Sequence, residues 1–294
     1  MKAPGMATGI EAQARHGTKP RRDVAHTVGF YLLLLAIAVI TLGPLIYSLS
    51  GSFKTLSGVV EWPPRLWPKP FIIDNYVQVW NIAPEFPRWV VNSAVLAALT
   101  IGLNAFFGSL AGYAFARLRF PGRDFILLAA LGTLMIPSQA TMISQYIIVA
   151  NLGWVNTYLG VLAPNLVRVF SVFLMTQFMK GLPRELDEAA IIDGCSRFGI
   201  FWRIMLPLAK PALAALAILG FKDAWNDFLW PLIVLNSPEN FTLPIGLTYF
   251  RQQNYTMWNL VLAGSIISMI PVLAIFLTFQ RYFVRGIAFS GIKG

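Results

Sequence analysis

Four stretches of this chain are nearly free of charge, and each is long enough to cross a bilayer. Residues 24–53, 89–116 and 252–280 contain no Asp, Glu, Lys or Arg, and residues 125–179 contain only Arg168. About 20 apolar residues cross the hydrocarbon core as a helix. There the backbone N–H and C=O groups must be paired within the segment. The run 125–179 is long enough for two spans, divided near Asn151–Asn156, and a further apolar stretch follows Pro211. The expected spans are 28–49, 89–113, 125–146, 158–179, 211–234 and 258–280. The chain therefore reads as an all-α integral membrane protein with six transmembrane helices. Its composition agrees: 56% hydrophobic, 12% charged and a mean hydropathy of +0.63. Soluble domains rarely look like this.

Basic residues set the orientation. With the N-terminus inside, Lys2, Arg15, Lys19, Arg21 and Arg22 precede the first span. Arg117, Arg119 and Arg123 lie in the next inner turn, and Lys180, Arg184, Arg197, Arg203 and Lys210 in the largest inner loop. Arg281, Arg285 and Lys293 follow the last span. Only Lys54, Arg65, Lys69, Arg88 and Arg251 fall outside. Both termini are expected in the cytoplasm. The net charge of +10 follows from this asymmetry and suits anionic lipid. The basic residues form no single patch, which argues against nucleic acid. Trp67, Trp80, Trp89, Trp154, Trp230 and Trp258 fall near outer span ends, the position of interfacial anchors.

The first 26 residues read as a polar, basic tail, and the first apolar run as an uncleaved span rather than a signal peptide. Residues 27–88 add that span and the largest outer loop, where Pro63, Pro64, Pro68 and Pro70 bar a continuous helix. Phe71–Trp80 reads as a short amphipathic piece on the outer surface. Gly108 and Gly112 make a smooth face that lets another helix approach closely. The single cysteine, Cys195, and two histidines in the tail leave no disulfide and no cysteine-rich metal site.

The inner loop 181–210 has its own punctuation. Pro183 suits a first helical position. Glu185, Asp187 and Glu188 complement a helix N-terminus. Gly194 suits a left-handed stop. A helix over 184–193, about 15 Å long, is expected, then a second inner segment at 197–206 ending at Pro207 and Pro211. The bland reading is an interfacial helix that caps the bundle.

Glu188-Ala189-Ala190, three residues, Gly194, nine residues, then Ile204-Met-Leu206-Pro207 resembles the loop by which membrane subunits of bacterial ATP-binding-cassette (ABC) importers engage their ATPase. Asn75-Tyr76, the Arg117–Asp124 turn, Trp225–Pro231 and the Gly291–Gly294 ending are similar to carbohydrate-uptake permeases, including the second permease of maltose-type systems. The resemblance implies a type I ABC importer transmembrane fold, with the permease domain over 89–281 and a short cytoplasmic tail over 282–294. It implies a second permease subunit, two ATPase subunits carrying ATP and Mg, and an extracytoplasmic solute-binding protein in a bacterial cell membrane. No cofactor is expected on this chain. Glu188 is implied as a charged contact, Ala189 and Ala190 as close-packing positions, and Gly194 as the turn. The implied solute is a sugar, oligosaccharide, polyol or glycerol phosphate.

Arg168 falls midway through span four, and Lys222, Asp223 and Asp227 in span five. A charge there costs about 2.5–3.5 kcal/mol on insertion scales, so such groups pair or serve a path. Asp223 and Asp227 are expected to share a helix face. One reading is an ion pair from Arg168 to either aspartate. The other is a translocation path joined by Asn165, Asn226, Gln139 and Gln145. An ion- or proton-coupled carrier using these charges is the alternative function. A membrane enzyme is disfavoured, since the chain has no Gly-x4-Gly-Lys loop and no His-Glu-x-x-His. For the same reason it is not expected to hydrolyse ATP alone.

Overall fold

A computed structural model describes residues 24–251 and 255–291, with side-chain environments for 26–251 and 255–278. The expected basic tail lies outside the described residues as far as residue 23. The chain divides into two compact units, 1–47 and 48–294. Within the first, helix α1 (Val24–Gly51, its last turn belonging to the second unit) is apolar all round. Leu32, Leu33, Leu35 and Ile40 are all exposed, which suits a helix whose solvent is lipid.

The second unit holds α2 (Leu56–Val60), α3 (Asp74–Ile82), α4 (Phe86–Arg117), α5 (Arg123–Thr133) and α6 (Ser138–Asn151). Next come α7 (Tyr158–Leu162), a 3₁₀ turn (Ala163–Asn165) and α8 (Val169–Lys180). The inner loop forms α9 (Glu185–Ile192), α10 (Arg197–Ile200), a π-helical turn (Phe201–Met205) and α11 (Leu206–Leu208). Helices α12 (Lys210–Trp225), α13 (Leu229–Val234), α14 (Leu243–Gly246) and α15 (Trp258–Gly291) complete it. α15 continues past residue 281, where the sequence reading placed the start of a tail.

Among the described residues, α1, α4 and α15 are each long and apolar enough to cross a membrane unbroken. The other three spans are bent pairs. Span three breaks by 99° between α5 and α6, and span four by 45° before α8. α10–α11 meet α12 at 72°, where the inner loop turns into span five. These bends correct the expectation of continuous helices at 125–146 and 158–179. Pro137 directly precedes α6; it lacks an N–H and disfavours helix at the residue before it. Span five is corrected too. It is not one helix over 211–234, because α12 stops at Trp225. A helix running through Asp227 and Pro231 would drive the proline ring into the carbonyl of Asp227. Pro231 instead sits in the first turn of α13.

Small residues let α4 and α8 meet closely. A Cβ on Gly108 would lie 2.8 Å from Ser171 Cβ, and one on Gly112 would lie 2.6 Å from Met175 Cβ. The glycine face of α4 therefore lies directly against α8, as the spacing suggested. Several expected interfacial groups lie inside instead. Trp89 and Trp230 are buried, and each indole N–H donates to a carbonyl, of Pro238 (2.7 Å) and Gly160 (3.2 Å). Buried Trp needs such a partner. Trp67, Trp80 and Trp258 remain exposed. The 71–80 segment is also corrected: α3 forms, but it docks into the protein through Val79 and Asn75. Asn75 Nδ2 donates to the carbonyls of Ser52 and Lys54, and its Oδ1 accepts from Asn259.

Candidate functional site

The inner loop folds as its punctuation dictates. α9 begins with Glu185, Asp187 and Glu188 in its first turn, where the helix dipole favours acids. It ends with Asp193 N–H donating to Ala189 O (3.0 Å) and Cys195 N–H to Ala190 O (2.9 Å). Gly194 stands between them at φ +78°, the left-handed region that favours glycine. Ser196 then caps α10, accepting from Gly199 N–H at 3.1 Å. Glu188, Ala189 and Gly194 are exposed. Ala190 is not. It packs with Tyr113, Met179, Ile200 and Phe201, with Ile204 and Leu206 half-buried against the same cluster. Of the two alanines, only Ala189 offers the slim outer surface expected of both, because Ala190 lies on the face of α9 that meets the protein's own core. Pro207 is exposed within α11.

A second feature of this loop went unnoticed in the sequence. Arg117, the last residue of α4, is 3% exposed, and its Nε lies 3.1 Å from Oδ2 of Asp187, itself 10% exposed. Arg117 Nη2 also donates to the carbonyl of Leu182 (2.9 Å) and reaches that of Pro183 (3.4 Å). The planar guanidinium suits such multiple contacts better than an ammonium. Burial raises the Asp187 carboxyl above its ordinary value, outweighing the opposite pull of Arg117, Arg197 and Arg184. Arg117 Nε meets Asp187 at ion-pair distance without hydrogen-bond geometry, and Asp187 Oδ1 and the nearby Tyr113 hydroxyl are likewise buried without a hydrogen-bond partner. The available signal was local. Arg117 closes an uncharged run, and Asp187 precedes the motif; neither position reveals that the two meet.

The membrane charges gather around the break in span four. Arg168 Nη1 lies 3.5 Å from Asp223 Oδ2, and Lys222 Nζ lies 3.5 Å from Asp223 Oδ1. Asp223 is half-exposed, so this pair is open on one side. Asp227 lies beyond the end of α12 and is half-buried, so it does not share a helix face with Asp223. Asn226 closes α12 through Nδ2 to Lys222 O (2.7 Å). Gln139 is exposed, and Gln145 donates to Thr141 Oγ1. Buried Asn104 of α4 also belongs here. Its Nδ2 donates to Thr100 O and to Asn165 O (2.8 Å); its Oδ1 accepts from Arg168 N–H (2.8 Å) and Ser171 Oγ. Asn104 thus satisfies backbone groups on both sides of the break. Thr100, Asn104, Arg168, Ser171 and Asp223 line a recess of about 90 Å³. No cluster of metal-ligating side chains occurs among the described residues.

Comparison with known proteins fits this geometry. A family model described as binding-protein-dependent transport system inner membrane component matches residues 104–289. The arabinooligosaccharides transport system permease protein AraQ of Halalkalibacterium halodurans is 39% identical, over 94% of this chain and 99% of its own length. The trehalose/maltose transport system permease protein MalG of Thermococcus litoralis is 33% identical, over 93% of this chain and 99% of its own. A crystal structure of a bacterial ABC transporter that imports alginate superimposes with a TM-score of 0.80 at 24% identity, covering 90% of this chain and 98% of that one. That likeness shows a shared fold. The family match and the extent of these identities place the chain among the binding-protein-dependent transport system inner membrane components, in their sugar-uptake ABC permease branch.

Proposed function

We propose that this permease forms, with a second permease subunit, the path for a sugar or a related polyol or glycerol-phosphate solute. The names of its relatives support that solute class, since they include arabinooligosaccharide, trehalose/maltose and sn-glycerol-3-phosphate permeases. An extracytoplasmic binding protein delivers the solute, in keeping with the family's description. Two separate ATPase subunits hold Mg and ATP. Both termini and the loop 181–210 lie in the cytoplasm of a bacterial cell, following the basic residues.

α9 is the coupling helix in this reading. The observation that carries it is the pairing of an acidic, exposed first turn with a left-handed glycine stop at φ +78°. Glu188 and Ala189 meet the ATPase. Ala190, Ile204 and Leu206 hold the loop to the bundle, and Pro207 helps turn the chain towards span five. Arg168, Lys222, Asp223, Asn226 and Asp227, with Asn165, face the solute path.

Uptake into vesicles tests the reading. The complex is expected to require ATP and an added ATPase subunit, and to ignore an imposed proton or ion gradient. Gradient-driven uptake without the ATPase would establish the coupled-carrier alternative instead.

A further inference from the structure

The two polar sites described above lie on one helix. α4 is continuous over 32 residues, whereas spans three and four are broken. Arg117 stands at its inner end, bound to Asp187 of α9 and to the carbonyls leading into α9. Asn104 stands 13 residues earlier, about 20 Å along the axis at 1.5 Å per residue. It is bonded to both sides of the span-four break beside Arg168. Between them Gly108 and Gly112 hold α4 directly against α8, the helix that follows the break. A close-packed contact of this kind transmits displacement rather than absorbing it.

We infer that α4 is the connecting rod of the transport cycle, with Arg117–Asp187 as its joint to α9 and Asn104 as its joint to the break that carries Arg168. This rests on the importer reading given above. Displacement of α9 pulls on Arg117 through three contacts at once. The α4–α8 pair follows as a unit. The strain is delivered at the 45° break, where Asn104 bridges Asn165 O and Arg168 N–H. The unpartnered Tyr113 hydroxyl and Asp187 Oδ1 lie at the inner joint, where a second arrangement of the pair would supply them with partners. Arg117, Asp187 and Asn104 are positioning residues: none of them need touch solute or ATP.

The test uses the assembled complex of both permeases, ATPases and binding protein in proteoliposomes. Solute moved per ATP hydrolysed is compared for wild type, Arg117→Gln, Asp187→Asn, the double variant and Asn104→Ala. Each single variant is expected to assemble normally and hydrolyse ATP, with stoichiometry reduced about tenfold, within the usual range of inter-site coupling. The double variant is expected to be no worse than either single one, since both remove the same joint. Arg117→Lys, which keeps the charge but not the fork, is expected to recover only part. Asn104→Asp, which keeps the acceptor but loses both donations, is expected to fall between wild type and Asn104→Ala. Wild-type stoichiometry in all variants would overturn the inference. So would a loss that merely follows reduced assembly. A wild-type complex with no ATP-driven uptake would overturn the importer reading beneath it.

Discussion

Gly112 is where one atom decides a helix contact. A Cβ there would meet Met175 Cβ at 2.6 Å and the backbone N of Thr176 at 3.0 Å. Backbone cannot move aside cheaply, so Gly112→Ala is expected to destabilise the folded chain by about 1–3 kcal/mol, as overpacking does. Thermal unfolding in detergent reads this directly, and Gly132→Ala, where a Cβ meets nothing within 4 Å, is the control. Arg168 makes a different prediction. Arg168→Ala removes the partner that Asp223 finds across the spans and leaves it only its chain neighbour Lys222; removing one member of a buried pair costs about 3–5 kcal/mol, more than removing both. Asp223 is half-exposed, so the effect should fall well below that figure. Asp223→Asn is expected to rescue Arg168→Ala in part, and Asp227→Asn is not. Equal, additive losses with either aspartate would contradict the pairing. Normal assembly with lost uptake would assign Arg168 to the path.

At the scale of the element, α9 carries both the coupling surface and a titrating anchor. Asp187 is pushed up by burial, so the folded state holds its proton more tightly than the unfolded chain. Its favourable contribution is present below the ordinary carboxylate value and is lost as pH rises through the raised one. The stability of wild type relative to Asp187→Asn is therefore expected to decline across that interval, as measured by unfolding temperature against pH; an unchanging difference would contradict it. The sequence announced α9 itself clearly. Pro183, three acids and Gly194 are local signals, and local signals fix helix ends. Its inner face was not legible, because Ala190 and Asp187 are buried by Phe201, Met179 and Arg117, partners brought in by tertiary packing. The broken spans divide in the same way. Pro137, Pro164 and Pro231 stand in the sequence as breakers, but the group that satisfies the backbone at the span-four break is Asn104, 64 residues before Arg168. The two buried tryptophans were misplaced for a related reason. Hydropathy places Trp89 and Trp230 near a span end without showing that the carbonyls of Pro238 and Gly160 lie there to accept from them.

For the whole molecule, apolar length and basic asymmetry supply the span number and the expected orientation, and the family's fold follows from them only with the inner-loop motif. Single cysteines at Ser57 and Gly294, in a Cys195→Ser background, are expected to label from opposite faces of the membrane. Labelling from one face would contradict an even number of spans. The central claim is that exposed α9 is the surface on which a separate ATPase acts. It is tested most directly by a cysteine at Ala189 in that same background. In the assembled transporter, a short bifunctional crosslinker is expected to join this position to the ATPase subunit, and replacing Glu188 or Gly194 should abolish uptake while leaving membrane insertion intact. A complex that still transports, yet yields no ATPase adduct from position 189, would contradict the account.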